Sequence, residues 1–382
     1  MVVDGMESQA MHQIWEKIQK GVFVIAEAGK NFIQTEEDRP VSEYLKNAKG
    51  LVDAAKVAGA DAIKFQTHNV EDEQLNIEII SPHFKGADRY RWLTRNTNAT
   101  PVEEFWKPLK KYCEEIGIIF MSTPMSRGAA LRLAEVGVPV WKIGSGDMLD
   151  FVAMDFMRSQ PEPIIMSSGM STFEEVELGF RFLQKKNSRV ALMHAFSKYP
   201  GAPEEANLGT IDFYRERFSG TPIGFSENSI GWEPSAIAAA MGVTMIEKHF
   251  TISRGFWGAD HKVSSTREEF GEMVNAIRTI ERDPKEKSRW LAHPKFNAIY
   301  GKKEKVLRKD EEAFRPIFRK SLIAGTDIPK GAVIMPEMVY AMRPQKYSDG
   351  LPSEQYERVV GKRAARDLNR FDPITHDVVN VV

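Results

Sequence analysis

One cysteine, Cys113, stands in 382 residues. That excludes an intramolecular disulfide and a cysteine-built metal cluster, and it points to a reducing compartment, the cytoplasm by default. An excess of charge of one sign is also missing: 52 basic residues face 53 acidic ones. No global field therefore recruits nucleic acid or an anionic membrane, and any anion must be held locally. Long apolar blocks are absent from the N-terminal stretch MVVDGMESQAMHQIWEKIQKG, whose acidic residues make it resemble neither a signal peptide nor a membrane span. It reads as a short helical preface over 1–20. What is present is 42% hydrophobic residues, enough for one large domain plus a small one.

Eight short β-rich runs follow, each closed by small or polar residues and succeeded by a helix-length amphipathic segment. They are GVFVIAEAG, ADAIKFQTH, IGIIFMSTP, VPVWKIGSG, EPIIMSSG, RVALMHAFS, TPIGFSEN and VTMIEKHFT. Such a series predicts a (β/α)8 TIM barrel over 21–282, an α/β fold whose C-terminal strand ends converge on one face. Ser126 and Thr172 are placed to cap two of the intervening helices. Side chains alternate along a strand, so Lys64 and Gln66 share one side, as do Glu247 and His249, with Phe65 and Lys248 on the other.

Collected at the rim are carboxylates, two lysines, several hydroxyls and two histidines. Ammonium and hydroxyl donors facing one space suit phosphate or carboxylate; His249 has the chemistry to ligate a metal and Glu27 to move a proton. Other readings stand beside these. A strand-end serine is also a turn former, Lys64 and Glu27 also make a structural ion pair, and His194 suits a hydrogen-bonded place in the core.

The stretches IAEAGKN, GADAIKFQTH, FMSTPMSRGAALRL, WKIGSGDM, IIMSSGM, MHAFSKYP, IGFSENS, IEKHF and GADH, with DIPKG and AMRP near the end, resemble the sialic acid (N-acetylneuraminate) synthase family, including its C-terminal antifreeze-like (SAF) domain. The resemblance implies condensation of phosphoenolpyruvate with an open-chain N-acylated mannose-type sugar, giving a nine-carbon 2-keto acid and phosphate. It implies that Lys64, Lys142, Ser145, Ser167, Ser197 and Ser226 hold phosphoenolpyruvate. Glu27 matches the acid/base residue, and Gln66, Thr123, Tyr199, Asp147 and Asp260 match the sugar site. His249 matches one of two histidine ligands of a divalent metal, Mn2+ or Mg2+. At the other stands Asn228. An amide oxygen binds hard cations but is a weaker donor than imidazole toward transition metals. A weaker, magnesium-leaning site, one rebuilt from a residue such as His261, and lost activity all follow from that exchange. Two further departures, Gly29-Lys30-Asn31-Phe32 after the first strand and Ala195-Phe196 after His194, bear on substrate identity.

The charged stretch 283–316 reads as a linker with a solvated KKEKVLRKDEE run. Residues 317–382 form short apolar runs broken at Gly and Pro, a small, mostly β module too small to bury much core alone. In the resembling family this module covers the partner subunit's site in a domain-swapped homodimer, and an arginine matching Arg343 reaches the sugar. Two other functions remain open from the sequence: a Schiff-base aldolase using Lys64 or Lys142, and a sugar or phosphosugar binder without turnover.

Overall fold

A computed structural model of the chain describes residues 11–12, 14–79, 88–198 and 200–379. Eight parallel strands form the centre: β1 (Phe23–Gly29), β2 (Ala62–Thr67), β3 (Ile119–Pro124), β4 (Trp141–Ile143), β5 (Ile164–Ser167), β6 (Val190–Ala195), β7 (Ile223–Glu227) and β8 (Met245–His249). Their order is β3-β2-β1-β8-β7-β6-β5-β4, and β4 packs beside β3 to bring the barrel close to closure. All eight expected runs are strands. Helices alternate with them, and the two proposed caps form: Ser126 Oγ accepts from Ala129 N, and Thr172 makes a reciprocal capping box with Glu175.

Strand alternation builds two layers inside the barrel. At the bottom, Phe23, Ile25, Ala62, Met121, Val140, Ile165, Ala191, Met193 and Met245 make an apolar plug, closed below by Ile14 and Ile18 of the helical residues 14–20. Two residues further along the same strands, the inward positions become Glu27, Lys64, Thr123, Lys142, Ser167 and Glu247. The outward positions Val24, Ala26, Ile63 and Phe65 join the larger core beneath the helices. Register then levels the polar layer: Glu27 is paired with Lys64 on one side and His249 on the other, and Ser226 with Glu247.

The stretch read as a linker is packed. Helices Pro284–Leu291 and Phe296–Tyr300 lie against the barrel, with Ile299 buried. Within the charged run, most side chains are exposed or half-buried, but Glu311 is enclosed. The sequence could not reveal this, because a buried carboxylate is defined by partners from elsewhere in the chain. Here these are the backbone N–H groups of Met170 and Ser197, donating to Glu311 Oε1 at 3.1 and 2.7 Å.

Beyond it, β9 (Ser321–Ala324) and β10 (Val339–Met342) pair antiparallel, and bridges to residues 363–379 complete the small module. It docks on the barrel of its own chain through polar contacts. Arg343 N donates to Glu73 O at 2.9 Å, Leu75 N to Arg343 O at 2.8 Å, and Lys320 Nζ sits 2.6 Å from Asp150 Oδ2.

Candidate active site

The C-terminal strand ends open into a cavity of about 520 Å3, within the usual range for small-molecule sites. Its wall includes Glu27, Lys64, Gln66, Thr123, Lys142, Ser145, Asp147, Ser167, Ser197, Ser226, Asn228, His249, Asp260 and Arg343. These candidates from the sequence are therefore brought together; Tyr199 lies outside the described residues, and the alternative ligand His261 is not among the wall residues. The lining residues come from all eight barrel segments and from the C-terminal module.

At the inner end two lysines and two carboxylates form a buried network. Lys64 Nζ lies 2.5 Å from Glu27 Oε2 and 3.6 Å from Glu247 Oε1, and it donates to Thr123 Oγ1 at 3.1 Å. Burial alone would lower the Lys64 pKa, but Glu247 and Glu27 outweigh it and hold the ammonium above its usual range. Lys142 is different. Its Nζ donates to Ser167 Oγ at 2.8 Å and stands 3.5 Å from Glu247 Oε2, yet burial prevails, reinforced by Lys64, and its pKa falls to about 8. Burial tends to protonate Glu247, but Lys142, Lys64 and His249 hold it below the usual carboxylate range. The site thus pairs a firmly charged Lys64 with a desolvated Lys142 close to its ionisation point, a perturbation typical of functional sites.

Around this network the hydroxyls converge. Ser145 Oγ accepts from Gly169 N at 3.1 Å, and a Cβ on Gly169 would collide with the hydroxyls of both Ser145 and Ser197. Glycine at the end of MSSG is what lets those two serines approach. Ser197 Oγ is buried and without a hydrogen-bond partner among the described residues, so it is poised for a ligand. Ser226 Oγ donates to Glu247 Oε1 at 3.3 Å.

Gln66 links the network to the mouth. Its Nε2 donates to Glu27 Oε1 at 2.9 Å while its Oε1 accepts from Lys30 Nζ at 2.9 Å. Gly29, left-handed at φ 52° where β1 bulges, turns the chain here. On the opposite wall Asp147 is gripped by Arg343 and by Lys320, the latter at 2.9 Å, so the module contributes directly to the cavity.

The alternative metal ligand His261 is not on the wall. It is buried with Nδ1 2.7 Å from Thr251 Oγ1. Glu227 also faces away, accepting from Ser229 Oγ at 2.5 Å and pairing with Lys248 at 3.5 Å, as alternation requires. No group of three or more His, Cys, Asp or Glu side chains able to hold a metal occurs among the described residues. His249 and Asn228 do share the cavity, and Asn228 Nδ2 is spent on Phe196 O at 2.6 Å, which leaves its oxygen as the donor. One imidazole and one amide oxygen fit a hard ion that keeps much of its water.

Sequence reasoning passed over Arg89, Phe314 and Phe318 as wall residues. They lie outside the strand ends, and no motif marks them.

The model of the NeuB family matches residues 51–288, and that of the SAF domain matches residues 319–379. The chain belongs to the NeuB family. It is 28% identical to human N-acetylneuraminate-9-phosphate synthase, covering 96% of this chain and 95% of that protein. It is 30% identical to a pseudaminic acid synthase of Campylobacter jejuni, covering 93% and 96%. Among solved structures, the spore coat polysaccharide biosynthesis protein SpsE of Bacillus subtilis superimposes with a TM-score of 0.75 at 29% identity, covering 94% of this chain and 95% of that one. The expected barrel with its SAF module is thus a NeuB-family architecture, and the chemistry that goes with it is phosphoenolpyruvate-condensing synthesis of nonulosonic acids.

Proposed function

We propose that the chain condenses phosphoenolpyruvate with an open-chain N-acylated mannose-type sugar, releasing phosphate and a nine-carbon 2-keto acid. The observation that carries this is the buried Glu27–Lys64–Glu247–Lys142 network, ringed by Ser145, Ser167, Ser197 and Ser226 in one cavity. Lys64, Lys142 and the serine hydroxyls hold the phosphate and carboxylate. Preorganised ammonium and hydroxyl groups stabilise charge as the C2–O bond breaks and phosphate departs. Glu27, fixed by Lys64 on one oxygen and Gln66 on the other, is placed to steer the water that adds to the cationic C2 and to take its proton. Gln66, Asp260 and Asp147 line the sugar end, with Arg343 and Tyr199 assigned there by family resemblance.

A divalent cation, Mg2+ before Mn2+ given Asn228, is the cofactor in this reading, and His249 and Asn228 are its protein ligands. Such an ion supplies Lewis acidity toward the sugar aldehyde. We place the reaction in the cytoplasm, in keeping with one buried cysteine whose thiol burial pushes up to about 12; no described helix is long and apolar enough to cross a membrane. We also propose a homodimer whose modules exchange, each covering the neighbouring barrel with the contacts described above.

A second reading rests on Lys142, whose pKa near 8 leaves part of its amine neutral and nucleophilic near neutrality. Phosphate release decides between them. The synthase needs phosphoenolpyruvate, a mannosamine derivative and a divalent cation together; chelation stops release, and Asn228→His shifts the preference toward manganese. Release without sugar, or a borohydride-trapped pyruvate adduct on Lys142, would overturn the synthase reading. A melting-temperature shift with sugar or sugar phosphate, and no turnover with any metal, would leave a binding protein.

A further inference from the structure

The inner lysines account for one anionic substrate, but besides the exposed Lys262 and the Asp147-bound Arg343 the cavity wall carries two more cations, Lys30 and Arg89. Lys30 follows the β1 bulge and touches Gln66, one layer above Lys64. Arg89 opens the helix Arg89–Ala99; its Nε donates to Gln74 Oε1 at 3.1 Å, and its guanidinium lies 5.0 Å from the Phe318 ring centroid. Both line the cavity. Each has used one donor on a neutral amide oxygen, and neither has a carboxylate at ion-pair distance among the described residues.

The nearby acids are committed elsewhere. Glu73 is held by His68 at 2.8 Å, and Asp147 by Arg343 and Lys320. Asp260 exerts the largest opposing charge effect on Lys30 but does not outweigh its burial. The titration shifts of four cations run the same way. Lys64 and Lys320, each flanked by carboxylates, are raised despite burial. Lys30 is lowered by burial, with Arg89 adding to the effect, and Arg89 is lowered to about 10 by burial and by Arg343. Lys142 is lowered by burial as well, although Glu247 stands 3.5 Å away. Desolvated cations without a close counter-ion cost stability and are retained where a ligand supplies the charge.

We propose that Lys30 and Arg89 form an anion subsite at the outer end of the cavity, and that the acceptor sugar carries a phosphate or other anionic group at the end remote from its aldehyde. This deepens the synthase reading and rests on it. The two cations approach from different elements, an ammonium and a planar guanidinium, an arrangement that suits a multi-oxygen anion better than a neutral hydroxyl.

The test compares N-acetylmannosamine with its 6-phosphate, using the full-length chain, phosphoenolpyruvate and magnesium, in the wild type, Lys30→Gln and Arg89→Gln. The expected result is a kcat/KM for the phosphorylated acceptor about tenfold or more above the neutral one, the ratio falling about tenfold in each variant, as for loss of one charged hydrogen bond. Equal or better use of the neutral sugar by the wild type overturns the proposal, as does a preference that survives both substitutions. If neither acceptor gives phosphate, the synthase reading fails and binding decides the subsite. A melting-temperature rise with the sugar phosphate that both variants lose upholds it; no rise in the wild type sinks it.

Discussion

Lys142 is where the chemistry of the site is most exposed to measurement. Holding an anion requires its ammonium form, and burial brings its pKa from 10.5 to about 8. Phosphoenolpyruvate binding is therefore expected to weaken as pH rises past about 8, in kcat/KM, which reports the free enzyme. Lys142→Arg keeps its charge throughout that range, so the alkaline limb should flatten even if the rate falls. An unchanged limb in that variant would remove Lys142 from the anion site. Stability moves the other way. Between pH 8 and 10.5 the unfolded chain binds the proton that folded Lys142 has released, so this residue's contribution to stability grows as pH rises through that window. At this scale the sequence was informative where strand alternation applies: Lys64 and Gln66, or Glu247 and His249, fall on one face because period two leaves no other choice. It was silent on Arg89 and Glu311, whose placement depends on helices and loops with no fixed period relative to the barrel.

Among the elements, the connections after β5 and β6 decide whether the serines face the ligand. Glu311 spans them, taking the N–H of Met170 in one and of Ser197 in the other, while Arg319 Nη2 donates to Met170 O at 2.8 Å and Ser171 Oγ at 2.9 Å. Glu311 is thus a positioning residue acting through Ser197. Replacing it with Ala frees two buried amides and is expected to raise the KM for phosphoenolpyruvate by about threefold to tenfold, on the scale of one or two hydrogen bonds. Glu311→Gln, whose amide oxygen still accepts, should recover part of that affinity. A lower melting temperature with unchanged KM in the Ala variant would reduce Glu311 to a structural anchor. The charged run around it looked solvated because charge density predicts exposure on average and cannot single out one enclosed carboxylate. The N-terminal preface shows the reverse. Ile14 and Ile18 are one helical turn apart, so an amphipathic helix was legible, but its role as floor of the barrel depends on the apolar lower layer of β1, β2 and β8 lying directly above.

For the whole molecule the question is which barrel each module serves. Within one chain Arg343 and Lys320 close on Asp147 and Asp150; the proposed exchange makes the same bonds between copies. Two inactive variants distinguish these arrangements. Glu27→Gln spoils the barrel's chemistry and leaves its module intact, whereas Arg343→Ala spoils the module and leaves the barrel intact. In an exchanged dimer of one copy of each, the barrel with Glu27 receives the module with Arg343, and that site is whole. Random pairing of equal amounts puts one whole site in half the dimers, so co-expression should restore about a quarter of wild-type phosphate release. Modules kept in their own chain give no whole site in any pairing. Activity no greater than the sum of the separate variants, from a mixture shown to contain the mixed dimer, would assign each module to its own barrel and make Arg343 an intramolecular closure of the sugar end.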